Sequence, residues 1–575
     1  MGNLSQIRRA EMLEYLNHLK EIHTDDESRI VLEKIETALT EKKYGLVWEE
    51  HEEEVDKQLI HNIPVFREIE DKKIVADENK DFNFLLEGDN LHSLKLLEKT
   101  HKGKVDVIYI DPPYNTGNKD FIYDDNYIGS DDGYRHSKWL SFMNERLTIA
   151  RELLTDDGFI LISIDESESS QLKILCDDIF GEDNFQTTLH IQVRYAQKSL
   201  TEEKDFKPVM EYVFLYSKDY KQFNPKRKEE EYTDEKFIYK INELSKGEDF
   251  YIGKQKVTVF KKGEWELEKM EEGSLNGLKE TWISGTIYTK MSYGQVFKAV
   301  VEPRINVDGL SCLYKVHGRG EDGLGYRYYT GPQRKKAKRG KMYSGMPLNR
   351  VEEIKSGKSI RFKPLDTFFD FAADFGNINH EGGVTFNSGK KPVKMLKSFI
   401  DFSQNNSGVI LDYFAGSGTT GQAVMQLNKE DGGNRKYILC TNNENNICEK
   451  ITYKRINNIQ KELPHNLKYY KTEFIPKLSE DEEILSSKLL DYIKEIVELE
   501  NMCEIDGNSR RIILSDEDLN IALSEMEENG ILYIPSFILL NNEIKDSIEE
   551  RKLEVVTIPD YYFTEELREV NELWC

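Results

Sequence analysis

The chain has 575 residues, 38% of them hydrophobic and 32% charged, with a formal net charge of −26 at pH 7. This length predicts about two to four folded units. There is no run of about 18 apolar residues and no apolar secretory core at the N-terminus, so we expect a soluble cytoplasmic protein. The six cysteines form no CxxC pair and no Cys/His cluster, which excludes a disulfide framework and a metal site from the prediction.

The first 184 residues predict a helical segment followed by half of an α/β domain. Leu13, Leu16 and Leu19 recur at helical spacing, and the helical segment is expected over 1–65. Over 66–184, the apolar strands FNFLLE, KVDVIYI and FILISI alternate with helical patterns. Such alternation is typical of a mainly parallel, doubly wound α/β sheet.

The remainder of the chain predicts an insertion, the second half of the sheet and a small C-terminal domain. Residues 185–380 are polar, aromatic and glycine-rich, which indicates an inserted region. Residues 381–470 return to strand, glycine turn and helix, with RKYILCT as a further strand. Residues 471–575 are acidic and predict a small α/β domain. Its few strands must pack on the main domain or on another subunit.

A glycine turn in LDYFAGSGTTG follows an apolar strand and opens a helix. Asp412, Phe414, Gly416 and Gly418 lie in it. Glycines at the carboxyl end of a strand let the backbone approach a ligand closely, although a single such turn often serves only to reverse the chain. The turn has neither the GK[ST] ending of a phosphate loop nor the GxGxxG pattern, so we expect a ligand other than a triphosphate or a dinucleotide.

A second turn, Asp111-Pro112-Pro113-Tyr114, ends the strand KVDVIYI. Proline cannot continue a central strand, so the chain must leave the sheet there in a stiff turn. The turn would hold one carboxylate and one aromatic ring at the carboxyl edge of the sheet. The simpler alternative is a proline turn with an ordinary Asx cap and a half-buried tyrosine.

One stretch of the inserted region is strongly basic and contains no acidic residue. Its cationic side chains are Arg334, Lys335, Lys336, Lys338, Arg339 and Lys341. A solvated loop and a phosphate-binding surface both fit such a run, because binding depends on local potential and not on net charge.

Together the two turns resemble the motifs of the DNA amino-methyltransferases, whose catalytic motif is Asp-Pro-Pro-Tyr and whose cofactor motif is Phe-x-Gly-x-Gly. The catalytic motif precedes the cofactor motif here, as in the beta class, and the resemblance covers roughly residues 80 to 465. LLEGDNLHSLKLL and TFNSGKKPVKML agree with further family elements. DPPYNTGNKDFIYDDNY, HSKWLSFMNERL and GFILISIDESE are most similar to the modification (Mod) subunits of Type III restriction–modification systems.

The resemblance implies a Rossmann-like methyltransferase sheet and assigns roles to individual residues. Asp111, Pro112, Pro113 and Tyr114 would be catalytic. The residues implied for S-adenosylmethionine are Asp89, Asn90, Lys391, Asp412, Phe414, Ala415, Gly416, Ser417, Gly418, Thr419 and Asn443. Within this set, Asp89 would meet the adenine end, Lys391 and its neighbours the carboxylate, and Asp412 the amino group. Asn443 would meet the ribose, where the family often has an acidic residue. The inserted region would read the DNA target, with Lys335, Lys336, Lys338, Arg339 and Lys341 on phosphates.

The expected reaction is transfer of a methyl group to the N6 amino group of an adenine flipped out of double-stranded DNA. The resemblance also implies a homodimer and a separate restriction subunit that carries the motor and the nuclease. The sequence leaves other functions open. They are an orphan regulatory methyltransferase, methylation of cytosine N4, action on RNA, and a specificity module that binds nucleic acid without catalysis.

Overall fold

The computed structural model describes most of the chain. The described residues are 4–23, 25–40, 48–49, 51, 53–78, 80–123, 126–129, 131–197, 206–284, 297–334, 337, 339–386, 389–477, 485–535, 538–559 and 562. The chain divides into two compact units, Met1–Lys226 with Asp366–Cys575, and Arg227–Leu365. None of the described helices is both long enough and apolar enough to cross a membrane.

The first unit is built on a ten-stranded sheet. In chain order its strands are β1 Asn62–Glu68, β2 Phe82–Glu87, β3 Val105–Ile110, β4 Leu154–Ile164, β5 Phe185–Gln192, β6 Met210–Ser217, β7 Phe368–Asp370, β8 Val409–Asp412, β9 Lys436–Thr441 and β10 Asn466–Pro476. Their order in the sheet is β1-β10-β2-β9-β8-β3-β4-β6-β5-β7. From β10 to β4 all neighbours are parallel, whereas β1 and β6 run antiparallel to their neighbours. The predicted α/β fold with a mainly parallel sheet is confirmed.

Helices cover both faces of this sheet. The main ones are α1 Asn90–His101, α2 Arg135–Leu153, α3 Ser169–Phe180, α4 Val393–Ile400, α5 Thr419–Asp431 and α6 Lys454–Ile459. Helices α1 to α3 share one core with Ile438 and Cys440 of β9. A Cβ on Gly421 of α5 would lie 3.2 Å from Leu439 Cδ1, so α5 packs on the opposite face of the same strand. Burial on both faces explains why the parallel strands are continuous apolar runs.

Helical and α/β segments flank the sheet, as the sequence indicated. The N-terminal helices are Leu4–Ile22, Asp26–Thr40 and Glu54–His61. After β10 come helices Leu485–Leu490, Ile493–Asn501, Asp516–Glu525 and Asn542–Glu550, and a parallel sheet of Arg510–Ile512, Ile531–Pro535 and Glu554–Ile558. Ile63 and Val65 of β1 share a core with Ile496, Tyr533 and Ile558. The C-terminal segment therefore packs on the edge of the main sheet, which was one of the two predicted alternatives.

The second unit is antiparallel. Its main sheet has, in spatial order, Glu248–Ile252, Gln255–Phe260, Leu313–His317, Tyr326–Thr330, Arg339–Ser344 and Lys279–Ser284. This unit also contains two strand pairs, Tyr239–Glu243 with Trp265–Lys269 and Glu229–Glu231 with Ile360–Phe362, and the helices Ile305–Asp308 and Leu348–Lys355.

The compact inserted unit, 227–365, is narrower than the predicted insertion of 185–380. Strands β5, β6 and β7 lie inside the predicted range but extend the main sheet. Their pattern misled because β5 and the edge strand β7 are only partly buried, and strands at the side of a sheet carry more polar residues than central ones.

Candidate active site

The two turns meet at the carboxyl edge of the main sheet. Strands β3 and β8 are parallel neighbours, with Ile410 opposite Val107 and Leu411 opposite Ile108. Asp111 follows the last residue of β3, and Asp412 is the last residue of β8. After β3 the chain continues to β4 on one side, and after β8 it continues to β9 on the other. Open α/β sheets bind ligands in the crevice at such a switch point.

A lysine and a second carboxylate join the two polar residues of the proline turn. The Tyr114 hydroxyl donates to Asp111 Oδ1 at 2.8 Å. Lys391 Nζ lies 2.7 Å from the Tyr114 hydroxyl oxygen and 3.2 Å from Asp111 Oδ1. It also pairs with Glu211 Oε2 at 2.8 Å. Sequence reasoning missed Glu211, whose signal is a charged residue near the start of the apolar strand β6.

The charges of this cluster partly cancel. Burial raises the pKa of Asp111, and the ammonium group of Lys391 opposes that rise. Burial lowers the pKa of Lys391, but the carboxylates of Asp111 and Glu211 outweigh it and hold the pKa above its ordinary value. The ammonium group of Lys391 therefore forms ion pairs with two carboxylates, those of Asp111 and Glu211. All of the Asp111 contacts described above use Oδ1.

Buried neighbours fix the proline turn on both sides. The fully buried Trp139 of α2 donates its indole N–H to the Pro113 carbonyl at 2.7 Å. Asn115, immediately after the motif, has a φ of 57° and donates its side-chain N–H to the buried Glu168. Pro112 is itself buried. The turn is held in place by its surroundings as well as by its prolines.

The glycine turn is braced from within. Asp412 Oδ1 accepts the backbone N–H of Phe414 at 3.0 Å, and Asp412 Oδ2 accepts the Thr420 hydroxyl. Gly416 has a φ of 49° and Gly418 a φ of 74°, conformations that residues with a side chain rarely adopt. Burial raises the pKa of Asp412 to about 7. A positive charge placed beside this carboxyl group would therefore favour its ionised form.

The EGDN turn after β2 is tied to the glycine turn through a buried arginine. Arg146 of α2 is fully buried and pairs with Glu53 through two nitrogens, at 2.7 and 3.1 Å. Its Nε donates to Asn90 Oδ1 at 2.6 Å, and Asn90 Nδ2 donates to the Tyr413 carbonyl at 3.0 Å. Arg146 also lies 3.4 Å from Asp89 Oδ1, which caps α1. Sequence reasoning missed both Glu53 and Arg146.

Asn443, predicted to meet the ribose, follows β9 at the same edge. Its Nδ2 lies 3.4 Å from Glu87 Oε1, and its Oδ1 accepts the backbone N–H of Glu449 at 3.3 Å. Glu87 is the last residue of β2 and pairs with Lys471 at 2.9 Å. An acidic side chain therefore does lie beside Asn443, but a different strand supplies it.

The predicted DNA-binding residues belong to the second unit. Lys335, Lys336 and Lys338 lie outside the described residues. Arg339 begins the strand Arg339–Ser344, and only its backbone is described. Lys341 Nζ pairs with Glu280 Oε2 at 2.8 Å and lies 4.9 Å from the ring centroid of the exposed Trp282.

These features define a doubly wound α/β protein in which a glycine turn and a proline turn meet at the switch point of the sheet. The chain belongs to the N6/N4 DNA methylase family, because the family model described as DNA methylase matches residues 105–454.

The chain is also similar to individual proteins of known class. The Type II methyltransferase M.KpnI of Klebsiella pneumoniae is 31% identical over 409 residues, which cover 68% of this chain and 90% of that protein. The Mod subunit of the Type III restriction–modification enzyme StyLTI of Salmonella typhimurium (strain LT2) is 31% identical over 420 residues, 68% of this chain and 57% of that subunit. The chain thus spans little more than half of that relative's length. PvuII DNA methyltransferase (cytosine-N4-specific) matches with a TM-score of 0.30 and 10% identity over 74% of this chain and 98% of that one.

Arg146→Met should lower the free energy of unfolding by about 3–5 kcal/mol, because it leaves the buried Glu53 without its partner and frees Asn90. Urea unfolding followed by circular dichroism measures this change. The matched control is Lys397→Met, which breaks the surface pair with Glu430 and should cost less than about 1 kcal/mol. Equal effects of the two substitutions would show that Arg146 is not a structural brace.

Proposed function

We propose that the protein is an S-adenosylmethionine-dependent DNA methyltransferase that modifies the N6 amino group of adenine. The observation that carries the proposal is the meeting of the glycine turn and the proline turn at one switch point of the sheet. Membership of a family that covers N6 and N4 chemistry supports an exocyclic amino group as the methyl acceptor. Asp111 at the first position of the proline turn favours adenine, by resemblance to adenine-specific members.

The glycine turn fits the methionine end of S-adenosylmethionine. A Cβ built on Gly416 would meet only the Phe414 carbonyl oxygen, at 3.7 Å, so the space beside this residue is open. Ala415, Ser417 and Gly418 line the same turn. The carboxyl group of Asp412 favours a cationic ligand here, and Asp89 and Asn443 follow neighbouring strands at the same edge. When bound, S-adenosylmethionine supplies an electrophilic methyl group on a positively charged sulfur.

In the proposed mechanism, Asp111 prepares the target nitrogen for attack. The lone pair of the adenine amino group is delocalised into the ring, which makes the nitrogen a poor nucleophile. Asp111 accepts one amino hydrogen and the Pro112 carbonyl accepts the other, which localises the lone pair. Lys391 opposes the effect of burial on Asp111 and so keeps the carboxylate available as an acceptor. Holding the amine in line with the methyl donor lowers the activation free energy further, because the two reactants are already close and oriented.

The base must leave the duplex to reach this site, at a cost of a few kcal/mol. Tyr114 offers a ring on which the flipped adenine can stack, an interaction worth about 1–3 kcal/mol per base. Its hydroxyl is held by Asp111 and Lys391, so the ring needs little further ordering when the base arrives. No enzyme nucleophile is required, and the five described cysteines are buried.

Asp111→Ala should abolish methylation and leave S-adenosylmethionine affinity within about threefold, because Asp111 acts on the amine and not on the donor. Mass spectrometry of nucleosides from DNA treated with the pure protein, together with calorimetry, measures both quantities. Asp431→Ala, which removes a carboxylate paired with Arg435, is the control and should stay active.

The same nucleoside analysis distinguishes adenine methylation from cytosine methylation and from binding without catalysis. N6-methyladenine in the wild-type sample supports the proposal, whereas N4-methylcytosine would replace adenine with cytosine as the substrate. Substantial turnover by Asp111→Ala would refute the mechanism. Donor binding without methylation of any DNA would support the specificity module.

We propose further that the basic run binds DNA phosphates. Exchange of Lys335, Lys336, Lys338 and Arg339 for glutamine should weaken binding to all DNA sequences and flatten the plot of log affinity against log salt by about 0.9 for each phosphate that is no longer neutralised. Lys341→Gln should change the slope less, because Lys341 is already paired with Glu280. Fluorescence anisotropy between 50 and 200 mM salt, about the range in which phosphate neutralisation is felt, tests this. An unchanged slope would restore the solvated-loop interpretation.

We also propose that the protein is the modification subunit of a Type III restriction–modification system, working as a homodimer with a separate restriction subunit. The similarity to Mod subunits supports this assignment, and the sequence has no GxxxxGK[ST] loop to serve as a nucleotide motor. Light scattering should give twice the mass of one chain, and the pure protein should not cleave DNA with ATP and magnesium. A monomer with and without DNA would refute the dimer. Cleavage of DNA by the pure protein would refute the proposal that a separate subunit carries the nuclease.

A further inference from the structure

Besides Arg146 and Lys391, a third buried cationic residue, Arg455, contacts the glycine turn. Arg455 of α6 has no exposed side-chain surface. Its Nε donates to Gln422 Oε1 at 2.8 Å, and its Nη1 lies 2.7 Å from Thr419 Oγ1 and 3.2 Å from Ser417 Oγ. Its Nη2 is buried and makes no hydrogen bond. The Glu381 carboxylate is 3.6 Å from Nη2, which is beyond a hydrogen bond.

The charge of Arg455 is poorly compensated within the protein. Arg146 is equally buried but has Glu53 bound through two nitrogens. Among the described residues, the carboxylate within 4.0 Å of Arg455 is that of Glu381, at 3.6 Å. Burial lowers the pKa of Arg455 to about 10. A buried cation without a close partner is costly unless another anion joins it. Arg455 lies at the N-terminus of α5, where the helix dipole adds positive potential.

Arg455 also limits how the hydroxyl groups of Ser417 and Thr419 can donate. Arg455 donates to the oxygens of both Ser417 and Thr419, so neither oxygen can donate back to it. The two hydroxyl oxygens are 3.1 Å apart, and one hydroxyl hydrogen is used between them. The second hydroxyl hydrogen remains available for another acceptor. The pair is thus set to donate one hydrogen bond to an acceptor outside the cluster.

Lys391, the residue that the resemblance assigns to the carboxylate of the methyl donor, is already occupied. Its ammonium group lies within 3.2 Å of both Asp111 and the Tyr114 hydroxyl and pairs with Glu211. These contacts bind Lys391 to the proline turn and not to the glycine turn. The positive charge in direct contact with the glycine turn is that of Arg455.

We propose that Arg455 is a positioning residue for the amino-acid end of S-adenosylmethionine. Because it donates to both hydroxyl oxygens, the Ser417–Thr419 pair keeps one hydroxyl hydrogen for the carboxylate of the methyl donor, and Arg455 supplies the positive charge behind the pair. This inference rests on the proposed function, because it names the residue behind one end of the same cofactor site. It assigns Lys391 to the reacting amine and Arg455 to donor recognition.

The test compares two ligands that differ only in the carboxylate, S-adenosylmethionine and decarboxylated S-adenosylmethionine. The wild-type protein should prefer the first by about 10–100-fold, the range expected for a charge-assisted hydrogen bond. Arg455→Met should abolish that preference and leave the affinity for the decarboxylated ligand within about twofold. Arg455→Lys, which keeps the charge, should retain part of the preference. Calorimetry measures all of these affinities.

A purely structural role predicts a different result, in which Arg455→Met weakens both ligands equally; that outcome would overturn the proposal. If Arg455→Met does not fold, the double variant Ser417→Ala/Thr419→Val tests the proposal instead. It removes the two hydroxyl groups and keeps the arginine. Loss of the preference in that double variant supports the proposal, and a retained preference contradicts it.

Lys391→Met is the matched comparison at the other buried cation. It should lower kcat and leave the preference for the carboxylate intact. A preference lost with Lys391→Met but kept with Arg455→Met would return the carboxylate to Lys391. Failure of the wild-type protein to bind either ligand would refute the proposed function itself, whereas equal affinity for both would refute only the role of Arg455.

Discussion

The parallel pairing of β3 with β8 holds this site together. Two turns that lie far apart in the chain become neighbours because their strands end at the same edge. The chain leaves the two strands in opposite directions, which opens a crevice between Asp111 and Asp412. A shift in the register of either strand would separate the Asp111 carboxylate from the glycine turn that follows Asp412.

Three buried cationic residues, Arg146, Lys391 and Arg455, lie near the carboxyl edge of the main sheet, although the chain has a net charge of −26. Arg146 is fully paired and braces the EGDN turn against the glycine turn. Lys391 balances the carboxylates of Asp111 and Glu211. Arg455 is the least compensated of the three and adjoins the turn proposed for the donor. Arg455 differs from the other two because the described carboxylate beside it, that of Glu381, lies beyond hydrogen-bond distance.

The described polar residues around Asp111 all belong to the first unit. Strands β5, β6 and β7 are part of the main sheet, and β6 carries Glu211 to Lys391. The compact unit 227–365 is antiparallel and has cores of its own. Its sheet shares no strand with the main sheet, so its sequence can change without altering the pairing of the strands that position Asp111 and Asp412.

The sequence by itself determined the class of fold, the two motifs and the order in which they occur, because strand periodicity, proline turns and glycine turns are local properties. It also indicated Asp111, Tyr114 and the glycine turn, since these stand in short, specific patterns. Only the tertiary structure revealed Glu211, Arg146, Glu53 and Arg455, and the partners of Lys391. Each of these is a charged residue that its local sequence does not single out, as with Glu53 in an acidic run and Arg455 next to Lys454. Its role arises from contacts across long stretches of chain, which no local pattern encodes.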